Sequence, residues 1–323
     1  MRPSTPILLI IWRRTDTLSK LIQSLRPLSP SSLFIASDGP RRSHLEDADQ
    51  VAAARSLVER EIDWPCSIKT LYSSTNHGCR DGPVRALNWF FDHVDEGIIL
   101  EEDCIPHPDF LYYCATILDK YRDDTRVWCV CGNNFHLNQW RGDGSYYFSK
   151  IPLIWGWATW RRCWKAYDAS LSDWPKFRES NLLDGSFADP LARSYWASKW
   201  ELSRRDYEVD WWDYQWVYTC VANGGLCVHP NINLVNNIGT GPEATHTTGN
   251  IIPTPLSQDR LDQINHPSFV LADPAADQYL FDNVFGGHRL RRQKTIGYRI
   301  YHRFHRLIAS CKKALGRIAS HAP

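Results

Sequence analysis

Three adjacent acids, Glu101, Glu102 and Asp103, close an apolar run, Ile98-Ile99-Leu100, in the stretch "GIILEEDCIPHPDF" (97–110). Two readings fit. A strand has ended and its acids face water, or the acids hold a divalent cation. Mn²⁺ and Mg²⁺ take hard oxygen ligands, and a Mg²⁺-type site uses one or two carboxylates while substrate phosphates supply the rest. Asp38, in "ASDGP", can accept from a base N–H or a ribose hydroxyl, or cap the turn it makes with Gly39-Pro40. Asn76 lies in the loop "TNHG" (75–78). Arg80 and Arg85 open the helix after it, where a guanidinium clamps phosphate or simply faces solvent. Asp210 and Asp213 stand among Trp211, Trp212 and Trp216. Apolar neighbours raise a carboxylate's pKa and suit a general base, whereas Asp210 also suits a helix N-cap. His246, in a Gly/Thr loop, matters only if it returns to a metal or a phosphate.

Such residues need elements to hold them. Pro6–Trp12, Ser32–Ser37, Cys66–Ser73 and Gly97–Leu100 read as short buried strands. Between them fall helical patterns at Thr17–Leu25, before Glu61, and at Asp81–Val94. This alternation predicts a mostly parallel α/β sheet with helices on both faces, whose ligands sit beyond the carboxyl ends of the strands. Polar residues punctuate four strand ends in turn: Arg13, Asp38, Asn76 and Glu101–Asp103. Neither a Gly-x-Gly-x-x-Gly pattern nor a phosphate-loop motif is present. Further on, a helix to about Tyr121 and a strand in "RVWCVC" are expected. Trp160 and Trp164, four apart in "IWGWATWRRCW", are placed on one helix face. "VDWWDYQW" opens a helix, and "GLCVHPNINLVNNIG" reads as an edge strand and loop. The division expected is a body over 1–273, with a nucleotide-binding half (about 1–135) and an acceptor-side half (136–273), and a tail over 274–323.

The chain has 323 residues, 43% of them hydrophobic, enough for a substantial core. Its net charge of +1 conceals an asymmetry. No acid follows Asp282, and ten Lys/Arg lie from Gly287 onward, so the other 27 Lys/Arg face all 36 Asp/Glu, a net of −9. Between Ile300 and Ile318 apolar residues recur at helical spacing among basic ones, a basic amphipathic helix suited to an anionic membrane surface or to packing on protein. An acidic body argues against nucleic acid as a partner. The apolar run near the N-terminus, about seven residues, is too short to span a bilayer. The ten cysteines, without a Cys-x-x-Cys pair, are expected as reduced core residues of a cytoplasmic protein, peripheral at most on the inner membrane face. Fifteen Trp can fill a core or stack on sugar rings.

Taken in order, "IILEEDCIPHPDF", "DDTRVWCVCGNN", "IWGWATWRRCW", "DWP", "WWDYQW" and "VHPNI" resemble the N-acetylglucosaminyltransferase I family of GT-A nucleotide-sugar glycosyltransferases. The likeness covers roughly residues 6 to 250. The strand-one run, "ASDG" and the Asn-x-Gly of "TNHG" are similar to glycosyltransferase 2-like features. A hemolysin-like label, sometimes given to bacterial proteins of this type, finds no support in the residues. The resemblance implies a metal-dependent, inverting transfer from a nucleoside-diphosphate sugar, UDP-linked, to a glycan or lipid-linked acceptor. By it, Asp103 binds Mn²⁺ or Mg²⁺ with His246 nearby. Glu101 and Glu102 lie near the sugar and ribose, although the family carries Asp at the middle position. Asp38 contacts uracil, Arg85 the donor, and Asp213 is the base, although the family has adjacent acids where this chain has Asp213-Tyr214. The Trp-rich middle forms the acceptor wall. A sugar-1-phosphate nucleotidyltransferase and a non-catalytic sugar-binding protein are the rival classes; the first lacks its Gly-rich N-terminal loop here.

Overall fold

The computed structural model describes residues 5–137, 139–206, 209–239 and 255–295. His246 and the basic segment from 296 onward lie outside the described residues. Ten strands are present: β1 (Ile7–Ile11), β2 (Ser32–Ser37), β3 (Ser67–Tyr72), β4 (Glu96–Glu101), β5 (Cys104–Pro106), β6 (Val127–Cys131), β7 (Tyr146–Ser149), β8 (Trp157–Trp160), β9 (Leu226–Pro230) and β10 (Val235–Asn237). The helices are α1 (Thr15–Leu25), α2 (Asp47–Glu61), α3 (Gly78–His93), α4 (Phe110–Lys120), α5 (Arg161–Trp164), α6 (Trp174–Glu179), α7 (Leu182–Ser186), α8 (Pro190–Arg205), α9 (Asp213–Ala222), α10 (Pro274–Asn283) and α11 (Gly287–Lys294).

Eight strands form one mixed sheet in the order β3-β2-β1-β4-β8-β6-β9-β7, flanked by helices. β1 pairs in parallel with both β2 and β4, and β2 with β3. β8 and β7 run against the other six. The all-apolar "ILLII" of β1 and the Gly97–Leu100 centre of β4 are buried because both faces are covered. β3 is the exposed edge, and Lys69 on it sits 5.3 Å from the Phe34 ring. The chain leaves β3 and re-enters the sheet on the far side of β1, so the order reverses between β1 and β4. Ligand crevices form at such a point.

The first four strands fall where the periodicity put them, as do α4, β6 and α9; other parts of the second half do not follow their local pattern. Trp160 ends β8 and is not on a helix with Trp164. It is Trp157 that packs toward Trp164, at 6.4 Å between centroids. β9 is interior, between β6 and β7, and not an edge. α1 starts at Thr15, two residues before the expected Thr17. α10 begins where a tail was expected, yet buries Ala276, Leu280 and Phe281 and contacts β7.

The tryptophans are mostly core. Trp157, Trp160, Trp174, Trp196, Trp200 and Trp216 are fully buried. All nine described cysteines are free thiols, seven of them buried, as expected of reduced core residues. Among the described residues no helix is long and apolar enough to cross a membrane.

One core contact carries a pH signature. Asp277 of α10 accepts from Ser149 Oγ at 2.6 Å and from Lys150 N at 3.2 Å, and burial raises its pKa from 3.8 to about 6. A raised folded-state value favours folding fully below the unfolded pKa, and this contribution is lost as pH rises through the folded one. Asn keeps an acceptor for both donors. Asp277→Asn is therefore expected to remove a stability loss on the order of 1–3 kcal/mol between about pH 4 and pH 6.5, read by urea melts across that range.

Candidate functional site

A cleft of about 1050 Å³ opens at the carboxyl ends of β1, β2, β3 and β4. Asp38, Asn76, Arg85, Glu101, Glu102, Asp103, Asp210 and Asp213 all line it. The structure thus brings together every predicted site residue it describes. Of the Trp-rich middle, only Trp155, Trp211 and Trp212 reach the cleft; the rest of the expected acceptor wall is core.

Three loops are laced together below the mouth. Trp12, just past β1, donates its indole N–H to Gly39 O at 3.0 Å, and Arg13 and Arg41 flank its ring. Gly39 N–H bonds Thr75 O at 3.2 Å, and a Cβ on Gly39 would stand 2.5 Å from the Thr75 backbone, so only glycine fits. Asp38 is the knot. Its carboxylate accepts from Gly39 N, from His77 N at 2.8 Å, from Gly78 N at 3.1 Å and from Asn76 Nδ2 at 3.0 Å. Those bonds use its lone pairs within the loop, so the turn-forming role is the one seen. Asn76 shares it, donating also to Gly39 O.

α3 carries two arginines with different duties. Arg80 is buried, and its guanidinium reaches Ala169 O at 3.0 Å. Arg85 is exposed on the cleft and makes no hydrogen bond or ion pair among the described residues. Asp210 does cap a helix, but α3 and not the helix that follows it: its Oδ1 accepts from Arg80 N at 2.7 Å. That bond spends Asp210 on structure. Asp213 is the first residue of α9, where the positive end of the helix dipole favours a carboxylate.

The acid triplet divides into three parts. Glu101, at the tip of β4, accepts no hydrogen bond among the described residues. Burial first, then the charges of Asp103 and Asp213, hold its pKa well above the usual carboxylate range. Glu102 is tied down: its carboxylate accepts from Trp12 N at 2.6 Å and Arg14 Nε at 2.7 Å. Asp103 Oδ2 accepts from Arg14 Nη2 at 2.7 Å, and Oδ1 from Asn237 Nδ2 at 3.2 Å. β10 brings Asn237 there by pairing antiparallel with β5, and it sets Gly239 so close that a Cβ would overlap Asp103 Oδ2. Burial alone would lower the Arg14 pKa, but Glu102 and Asp103 keep it raised, so the guanidinium is permanently charged.

Arg14 is the residue that sequence reasoning passed over. Its signal was there: an Arg-Arg pair directly after a buried strand. It bears directly on the metal expectation. Arg14 and Asn237 each take a lone pair of Asp103, and a cation there would have to stand beside a charged guanidinium. Among the described residues no group of three or more His, Cys, Asp or Glu side chains is arranged to hold a metal. As arranged, Glu102 and Asp103 hold a guanidinium where the cation was expected.

No protein-family model matches the chain. No curated protein matches it either. Solved structures resemble about half of it. HddC from Yersinia pseudotuberculosis complexed with GMP-PN shares 8% identity at a TM-score of 0.31, covering 50% of this chain and 80% of that one. A UDP-glucose pyrophosphorylase complexed with UDP-glucose shares 10% at 0.31, covering 50% and 78%. S. aureus TarS 1-349 shares 12% at 0.34, covering 51% and 49%.

Proposed function

We propose that the protein is a GT-A glycosyltransferase, resembling the N-acetylglucosaminyltransferase I family, that moves a sugar from a nucleoside-diphosphate sugar to an acceptor hydroxyl with inversion. One observation carries this reading. Loops from four successive parallel strands and the start of α9 deliver a loop-bound Asp38, an unpaired Arg85 and a carboxylate at Asp213 to one cleft at the topological switch point.

In this reading the nucleotide lies over the Asp38–Asn76 loop, which the laced hydrogen bonds make rigid before binding. Arg85 faces the diphosphate. Trp155 and Trp211 offer flat apolar surfaces to a sugar. The acceptor oxygen attacks the anomeric carbon. The bond to the diphosphate breaks with its electron pair, and the acceptor proton passes to Asp213. Glu101, held protonated beside Asp213, adds no charge against the donor. The donor is expected to be UDP-linked and the acceptor a glycan or a lipid-linked sugar.

A panel of UDP-, GDP- and dTDP-sugars tests this, by following slow donor hydrolysis and release of the nucleoside diphosphate. Release of the diphosphate from one donor class is the expected result. Pyrophosphate-dependent formation of a nucleoside triphosphate would instead make the protein a nucleotidyltransferase. No turnover and no binding of any donor would leave a sugar-binding role. Arg85→Ala is expected to weaken donor binding about tenfold, the loss of one charge-assisted contact, without changing the melting temperature; calorimetry reads both.

A further inference from the structure

We infer that Arg14 stands in for the divalent cation at the acid triplet, so that donor binding and transfer proceed without a metal. This rests on the glycosyl-transfer reading above. Its grounds are geometric. Arg14 bridges two acids from one position, Glu102 through Nε and Asp103 through Nη2, both at 2.7 Å. The two partners are buried and the arginine side chain is 24% exposed, on the cleft wall. Planar fork geometry of this kind is what a guanidinium supplies and a lysine does not. The arrangement is braced from behind. Glu102 also accepts the Trp12 backbone N–H, Asn237 holds the other oxygen of Asp103, and Gly239 closes against Asp103 Oδ2 and Arg14 Nη1.

Two consequences follow from the charges. Unpaired, Glu102 and Asp103 would repel a diphosphate with two negative charges; Arg14, shared between them, offsets one. Arg14 lines the cleft and its Nη1 makes no hydrogen bond among the described residues, so Nη1 can donate to a phosphate oxygen while Nε and Nη2 stay on the acids. Arg85 supplies the second cation. When the anomeric carbon–oxygen bond breaks and its electron pair moves to the diphosphate, these two guanidinium groups take the developing charge, the part that a divalent ion would otherwise play.

The test uses the full chain and has two readouts. Calorimetric titration of Mn²⁺, and separately Mg²⁺, into the wild type is expected to show no binding below millimolar concentration. Arg14→Met unpairs Asp103 and is expected to gain at least tenfold in Mn²⁺ affinity. Hydrolysis of the UDP-, GDP- and dTDP-sugar panel by the wild type in excess EDTA is expected to match the rate in Mn²⁺ within twofold. In EDTA Arg14→Met loses that rate at least a hundredfold, and Mn²⁺ restores part of it. Micromolar Mn²⁺ binding by the wild type, or donor turnover only when Mn²⁺ is present, overturns the inference and leaves the glycosyl-transfer reading standing. Absence of donor binding both with and without metal overturns that reading and this inference together. The wild-type measurements decide the question even if Arg14→Met fails to fold, and Arg14→Lys, which keeps one charge but not the fork, is expected to retain less than a tenth of the EDTA rate.

Discussion

Asp213→Asn is expected to lower turnover by about 10²–10⁴-fold, the range of a lost general base, while donor affinity changes less than about threefold. The split follows from where Asp213 sits. It opens α9 at the cleft wall, whereas the loop that would hold the nucleotide is knotted by Asp38 some distance along the chain. An amide of the same shape keeps the helix start and cannot take a proton. A parallel fall in donor affinity would make Asp213 a binding residue. Unchanged turnover would move the base elsewhere, and the structure names the order of search. Asp210 comes first, although it accepts the Arg80 N–H, because burial and its acidic neighbours hold Glu101 protonated. A single-turnover measurement with saturating donor separates these outcomes, since binding then no longer limits the rate.

Trp157→Ala is expected to destabilise the fold by about 3–5 kcal/mol, as for other fully buried large-to-small changes. Trp157 lies at the start of β8, pairs with Ile99 of β4 and Cys131 of β6, and has no exposed surface. Its ring packs against Trp212 at 5.9 Å and Trp216 at 5.6 Å. Truncation would leave a cavity beneath the strand that carries the acid triplet. Its indole N–H is buried without a hydrogen-bond partner, so Trp157→Phe gives up packing area but relieves an unmet donor. The phenylalanine variant is expected to cost less than half as much in a denaturant melt. Equal costs would mean that the indole N–H is satisfied in solution. No loss in either variant would contradict the burial of this ring and revive the acceptor-wall expectation for it.

The strand ends show why some of the site was legible and some was not. Asp38, Asn76 and Glu101 could be found because a buried parallel strand is a continuous apolar run, and its first polar residue marks the carboxyl end. That much is local. The fates of those residues are not local. Asp38 reads as an acceptor for a nucleotide until His77 and Gly78, 39 and 40 residues away, take its lone pairs. Asp210 reads as a cap for the helix three residues on, but its partner is Arg80, 130 residues back. The tryptophans read equally as core or as sugar platform, because an aromatic ring suits both and only its neighbours decide.

By itself the sequence determined the alternation of strands and helices in the first half, the set of polar strand ends, and the core placement of most described cysteines. Local periodicity and turn chemistry are enough for these. Only the tertiary structure decided which acid is free. β1 and β4 lie side by side with Ile10 opposite Glu101, and this puts Arg14 against Glu102 and Asp103 across 88 and 89 residues of chain. β10 then closes on β5 and fills the remaining side of Asp103 with Asn237 and Gly239. Three acids in a row look alike along the chain. They differ because long-range strand pairing sets a different partner beside each.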